Sequence, residues 1–511
     1  MASTMKDTPT LEKDAIGLRE VLFQSVTAMA PGGAVAFSIP AGAAFAAGAL
    51  PLAAVLALIA CMFVALTIGE LARHLPSAGN FATYASKGLH PWVGFLVAWG
   101  YAFAEPFMTA LCFLLLGIVA TGFLNTEFGW STGTWWIWVL IGLVVVFFLG
   151  YRGVKVSTKT GTWIGVFEIL VFGLLSLWLI IDAGSRNTFS VFTTQHANVS
   201  TSAGWGGVIA ACVYSILAFT GFESAVPLAE EARDPKKTIR KAVVFSCLAI
   251  GAFYVFTTYA ATVWIGPAHM STFAALSDNN PWTYMAKSVW SVGWLVVVLA
   301  IVNSEFANAN AASNVTTRTW FSMGRIRLLP HILASVHPEW KSPQVAVMVQ
   351  AVVALVLAMW LGFQFSPYTA FLLMATIFTL ILILVYLAVL LACIVYYWRF
   401  QREEASILRH GIIPVLGIVV FIPVFLTAAG IPAFSFVAQL SYPISLAGPI
   451  VGVWMVIGVI YLVYLHARHP ERLRQISIIF LEEPEFSAGE PTAAANAMGA
   501  TAESGVAEAD L

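Results

Sequence analysis

Apolar residues gather into twelve stretches, each about the 20 residues needed to cross a bilayer as a helix. They run over 21–45, 51–74, 92–122, 134–150, 161–183, 205–229, 241–265, 284–312, 344–363, 368–398, 411–431 and 445–466. Polar residues are largely confined to the segments between them. This pattern predicts an all-α polytopic membrane protein with a twelve-helix domain over 17–470. A polar N-terminal segment, 1–16, precedes the domain. Residues 471–511, rich in Ala, Gly and Glu from about 484, cannot bury enough apolar surface to order themselves and are expected to be a largely disordered tail. The first apolar run is too long for the core of a signal peptide and is expected to remain as the first span.

Charge sharpens the topology. If the N-terminus is cytoplasmic, 23 of the 25 lysines and arginines fall on the cytoplasmic side, leaving only Arg186 and Lys287 for the other. A missed or extra helix would scramble every later loop. The split therefore supports twelve spans, cytoplasmic termini and a place in the cytoplasmic membrane. Hydrophobic residues make up 59% of the chain and charged ones 10%, which excludes a soluble enzyme, and the net charge of −1 gives no field for nucleic acid. The nine histidines lack metal-ligand spacing and the five cysteines form no CxxC pair, so no metal, disulfide framework or other cofactor is expected.

Two spans break the rules for a helix that merely fills lipid. In the first, Met29-Ala30-Pro31-Gly32-Gly33-Ala34 withholds an N–H from the carbonyl of Thr27 and follows the proline with two glycines, so the ladder should open. In the sixth, Phe219-Thr220-Gly221 interrupts an apolar run, and Glu223 follows one helical turn after Phe219. Irregular backbone at this depth survives only against protein or a watery cavity. The breaks lie five spans apart, an odd number. Two halves of inverted topology, about 21–183 and 205–398, can therefore bring them together near the midplane, with two further helices, about 411–466, outside the repeat. Amides at the start of the half-helix after Gly33 suit a carboxylate, and carbonyls ending the preceding half suit an ammonium. A kink for close packing at Pro31, or small-residue packing at Gly221, is the alternative.

Four carboxylates, Glu105, Glu168, Glu223 and Glu305, lie inside spans with no lysine or arginine at comparable depth. Each must be protonated, hydrated or paired with something that arrives. Proton coupling is the expected use of them. For Glu105 a local structural role stays open, because Pro106 frees the carbonyl of Ala102. In the eighth span Asn303, Ser304, Asn308, Asn310, Ser313 and Asn314 are expected to line a polar pocket or bond across helices. The basic loop 233–241 is a topology signal or a latch onto Glu230 or Glu231.

The stretch from Phe219 to Ala225, with Glu230-Glu231-Ala232-Arg233-Asp234-Pro235-Lys236-Lys237 after it, resembles the amino acid–polyamine–organocation family, in its bacterial amino acid permease branch. So do Gly69-Glu70-Leu71-Ala72-Arg73-His74-Leu75-Pro76-Ser77-Ala78-Gly79-Asn80, Gly153-Val154-Lys155-Val156, and Thr317-Arg318 with Leu328-Leu329-Pro330. The resemblance spans about residues 15 to 470. It implies a LeuT-like five-plus-five fold and substrate binding at Ala30, Pro31, Gly32, Gly33 and Ala34. It also implies an aromatic gate at Phe219 beside Thr220 and Gly221. The chain departs from the family in carrying Pro-Gly-Gly-Ala where many members have a Gly-Ser-Gly-like run. It also has Glu168 where proton-coupled relatives often place a lysine.

The function expected is secondary active transport of an amino acid or small amine, by proton symport and alternating access. Exchange or sodium coupling are the alternatives within that class. Protonation of Glu168 or Glu223 is expected to favour the loaded state. An ATP-driven pump lacks its phosphate-binding motif and nucleotide domain. An intramembrane enzyme is the alternative from another class, and the chain offers it no metal-spaced or Ser/His set. The partners expected are the solute and the lipid bilayer.

Overall fold

The computed structural model describes residues 17–473 apart from 76–79, 154–157, 199–201, 231, 233 and 341. The N-terminal segment, the tail from 474, the motif residues 76–79 and 154–156, and Glu231 and Arg233 of the expected latch lie outside the described residues. Twelve helical segments are long and apolar enough to cross a membrane. They are α1 (Leu18–Ala41), α2 (Ala43–Leu71), α3 (Pro91–Phe128), α4 (Thr132–Tyr151), α5 (Thr162–Arg186) and α6 (Trp205–Val226). Then come α7 (Lys236–Ile265), α8 (Trp294–Arg325), α9 (Gln344–Phe365), α10 (Pro367–Phe400), α11 (Ile407–Ala429) and α12 (Ile444–Arg468). Among the described residues there is no strand.

Where helix ends differ from the hydropathy reading, the reason is local. The eighth apolar stretch, expected over 284–312, is two helices, Pro281–Trp290 and Trp294–Arg325, separated where Ser291 turns to φ +48°. Its polar half stays helical with its hydroxyls satisfied: Thr316 and Thr317 bond back to the carbonyls of Ala312 and Asn314, and Ser313 reaches Gln350 of α9 at 3.0 Å. Hydropathy ends a helix where lipid ends, whereas hydrogen bonding carries it on. The helix of α7 likewise begins at Pro235 rather than 241, since proline is suited to a first helical position.

Several helices pack against the helix five spans later: α2 packs along α7, α3 along α8 and α4 along α9, and the breaks of α1 and α6 meet as well. α12 is fastened to α3 from outside the repeat. Trp99 and Trp454 stack with ring centroids 4.6 Å apart, and each indole N–H donates to the other residue's carbonyl.

Among the described residues, one buried carboxylate does have cationic partners. Glu70, at the end of α2, is 4% exposed and accepts from Arg240 Nη2 at 2.9 Å and Arg73 Nη1 at 3.1 Å. His410 Nδ1 accepts the Ser406 N–H, which places its proton on Nε2, 3.5 Å from Glu70 Oε2. Tyr397 of α10 stacks on His410 and donates to the Glu70 carbonyl at 2.9 Å. Arg240, in the basic segment that forms the start of α7, thus latches onto Glu70 of α2. Four helices, α2, α7, α10 and α11, are tied at one end of the bundle. Glu70→Gln is expected to destabilise the protein by about 1–3 kcal/mol, less than a fully buried pair because both arginines are about a third exposed. Thermal unfolding in detergent checks this; Glu404→Gln, at a carboxylate 48% exposed, should leave the midpoint nearly unchanged.

Candidate functional site

The first break is built from the chain's own backbone rules. The opening helix of α1 ends at Ala28, and Ala30 adopts a left-handed conformation, φ +43° and ψ +63°. Pro31 then starts the second half as its first residue, where a missing N–H costs nothing. The carbonyl of Thr27, which Pro31 cannot serve, accepts the Ala30 N–H at 3.0 Å in a tight turn. The second half passes through a π-helical stretch, Ala34–Ser38, before Pro40.

The sixth helix breaks differently. It is α-helical over Trp205–Ala218 and resumes as a 3-10 helix over Phe222–Glu230. Gly221 lies at φ +118°, a conformation few other residues adopt. A Cβ there would collide with the Ala28 carbonyl and the Met29 nitrogen of α1, so the two breaks touch. Tyr254 of α7 joins them a second time: its single phenolic proton is shared between the carbonyls of Ala218, at 2.9 Å, and Met29, at 3.1 Å.

The four intramembrane carboxylates fall into two groups around these breaks. Glu168 of α5 accepts the Gly32 N–H on Oε2 at 3.0 Å and the Asn303 amide on Oε1 at 2.8 Å. Ser304 of α8 accepts the Gly33 N–H at 2.9 Å, and the neighbouring Glu305 lies against Gly33 with Cys112 of α3 beside it. On the other flank Glu223 folds back to accept the Gly221 N–H at 3.1 Å. Glu105 lies within electrostatic reach of Glu223 and faces Tyr101 one turn earlier on α3. All four carboxylates are at most 3% exposed, and among the described residues none pairs with a lysine or arginine.

The carbonyl of Ala102 that Pro106 frees accepts the Trp320 indole of α8 at 2.9 Å, and the local partner of Glu105 is Tyr101. The structure thus brings residues 30–34 together with Glu168, Ser304 and Glu305, and Gly221 and Glu223 together with α1 and Glu105. Phe219 is buried, its ring edge-on to Tyr254 at 5.3 Å and held against Gly251 of α7. The Thr220 hydroxyl is buried without a hydrogen-bond partner. Sequence reasoning missed Tyr254. A tyrosine in an apolar span needs a partner for its hydroxyl, which was signal enough to mark it but not to say what it bonds.

The model of one family, described as amino acid permease, matches residues 16–463. The chain belongs to the amino acid permease family. Its members are permeases rather than enzymes, which removes intramembrane catalysis. Relatives include the low-affinity putrescine importer PlaP of Escherichia coli K12, 27% identical over 317 residues, covering 60% of this chain and 66% of that protein. The histidine permease HisP of Lactococcus lactis is 26% identical over 278 residues, 52% of this chain and 56% of that one. The branched-chain amino acid permease BcaP of Bacillus subtilis is 26% identical over 332 residues, 60% and 66%. The chain spans less than two thirds of the length of each of these permeases.

Replacing Gly221 by Ala is expected to abolish uptake and lower the thermal midpoint, because the methyl group meets Ala28 backbone that cannot move without reshaping α1. Gly430→Ala, at φ +68° with no atom within 4 Å of its Cβ position, should cost only about 1–2 kcal/mol. Tyr254→Phe strips two carbonyls of their shared donor and should cost about 1–3 kcal/mol. Midpoints of the three variants measured side by side check the order.

Proposed function

We propose that the chain is a secondary active transporter that carries an amino acid or related small amine into the cell together with a proton, by alternating access around the two breaks. The observation that carries this reading is that each break holds a buried carboxylate on one of its own amides, Glu168 on Gly32 and Glu223 on Gly221. A hydrogen bond to a charged acceptor contributes about 1.5–3 kcal/mol, against about 0.5–1.5 for a neutral one. Loading a proton on Glu168 therefore slackens the tie between α5 and α1, and loading one on Glu223 slackens the turn of α6. Half-helices released in this way can swing. The substrate, bound beside them, moves with the proton because both act on the same hinges.

Putrescine, histidine and branched-chain amino acids, the solutes in the relatives' names, share an ammonium group. Buried carboxylates without cationic partners suit that group. A position in the cytoplasmic membrane with both termini inside is supported by the basic residues gathered on one side of the spans.

Glu168→Gln tests the coupling directly. Glutamine keeps an acceptor for the Gly32 N–H but cannot titrate. In sodium-free proteoliposomes the variant is expected to lose accumulation driven by an inside-alkaline gradient while keeping exchange of labelled for unlabelled substrate. Full gradient-driven accumulation by both Glu168→Gln and Glu223→Gln would overturn proton coupling through these residues.

A further inference from the structure

The half-helix that follows the α1 break is where a carboxylate-bearing substrate would be expected to dock, and its first turn can be accounted for donor by donor. Pro31 has no N–H. Gly32 donates to Glu168 at 3.0 Å, Gly33 to Ser304 at 2.9 Å, and Ala34 to the carbonyl of Ala30 at 3.0 Å. No donor of that turn is left over. The group seated at its positive end is already a carboxylate, and it belongs to the protein.

The acceptors show the opposite balance. Glu305, 2% exposed and pressed against Gly33, has a buried Oε2 with no hydrogen-bond partner. Thr220 and Ser224 at the α6 break carry buried hydroxyls that are also unpartnered, each able to donate as well as to accept. With the amides of the α1 turn taken and a carboxylate oxygen left unanswered beside them, the site is completed by a ligand that brings donors. An ammonium brings three and no acceptor.

We propose that the site takes a primary amine or diamine without an α-carboxylate, and that Glu168 at Gly32 is the element that rejects amino acids. This inference rests on the transport reading above and narrows it to a substrate class. An α-carboxylate entering here must displace Glu168 from Gly32, displace Ser304 from Gly33, and then sit beside Glu305 with no cation to offset the repulsion. Proton loading does not remove the obstacle. A neutral Glu168 still presents a carbonyl oxygen to the Gly32 N–H, and Gly33 remains with Ser304. Discrimination thus comes from a repulsive, already occupied seat as much as from attraction at Glu305.

The test uses matched pairs that differ only by the carboxylate: ornithine and 1,4-diaminobutane, lysine and 1,5-diaminopentane, leucine and 3-methylbutylamine. Each is offered to proteoliposomes of the full chain, with protein-free vesicles as the control, under an inside-alkaline gradient. That gradient drives passive weak-base partition outward, so amine accumulation must be carried by the protein. At least one amine is expected to accumulate and to compete at least 10-fold better than its parent amino acid. Glu305→Gln should weaken that competition 10-fold or more, and Glu168→Ala, which frees the Gly32 N–H, should shift the ratio toward the amino acid. Amino acids that accumulate as well as or better than their amines overturn the substrate class and leave the transporter standing. If no member of any pair accumulates or exchanges, the transport reading itself falls, and this inference with it.

Discussion

A helix interrupted inside a membrane exposes N–H and C=O groups where water and lipid cannot satisfy them, and this chain meets that constraint with side chains from other helices. Gly32 is answered from α5 and Gly33 from α8, while the carbonyls of Met29 and Ala218 share one phenol from α7. The breaks are therefore joints whose unpaired groups have been distributed over the bundle. Moving one of them requires α5, α7 or α8 to let go, so events at a single buried carboxylate can reach several helices.

The protein uses buried carboxylates in two ways, and the difference is the presence of a fixed cation. Glu70 sits between Arg73 and Arg240, charges that do not change near neutral pH, and it fastens four helices at one end. Glu105, Glu168, Glu223 and Glu305 have amides, hydroxyls, a thiol and one another. They have no permanent counter-charge, and under the proposed mechanism their state follows protons and the ligand. One arrangement resists change and the other invites it. This is what a transporter needs from an anchored end and a responsive centre.

Much of this was legible in the chain. Twelve apolar runs set the number of spans, and two breaks five spans apart placed α1 against α6. Pro31 and Gly221 marked the breaks because each carries a backbone property that a continuous helix cannot use. Helix ends were less legible. The polar half of α8 reads as a loop by hydropathy but is helical, its hydroxyls satisfied by back-bonding threonines and by Ser313 on Gln350.

The sequence by itself determined which groups could not be satisfied locally: the amides after Pro31, the positive-φ turn at Gly221, and carboxylates at depth with no neighbouring base. Composition and spacing carry that information because local geometry and charge are properties of short segments. Only the tertiary structure decided how those needs were met. It gave the Gly32 amide to Glu168 rather than leaving it open, gave the Ala102 carbonyl to Trp320 rather than to Glu105, and brought Arg240 to Glu70 across 170 positions of sequence. Partners of that kind come from helices far apart in the chain, and their choice depends on packing that no segment contains.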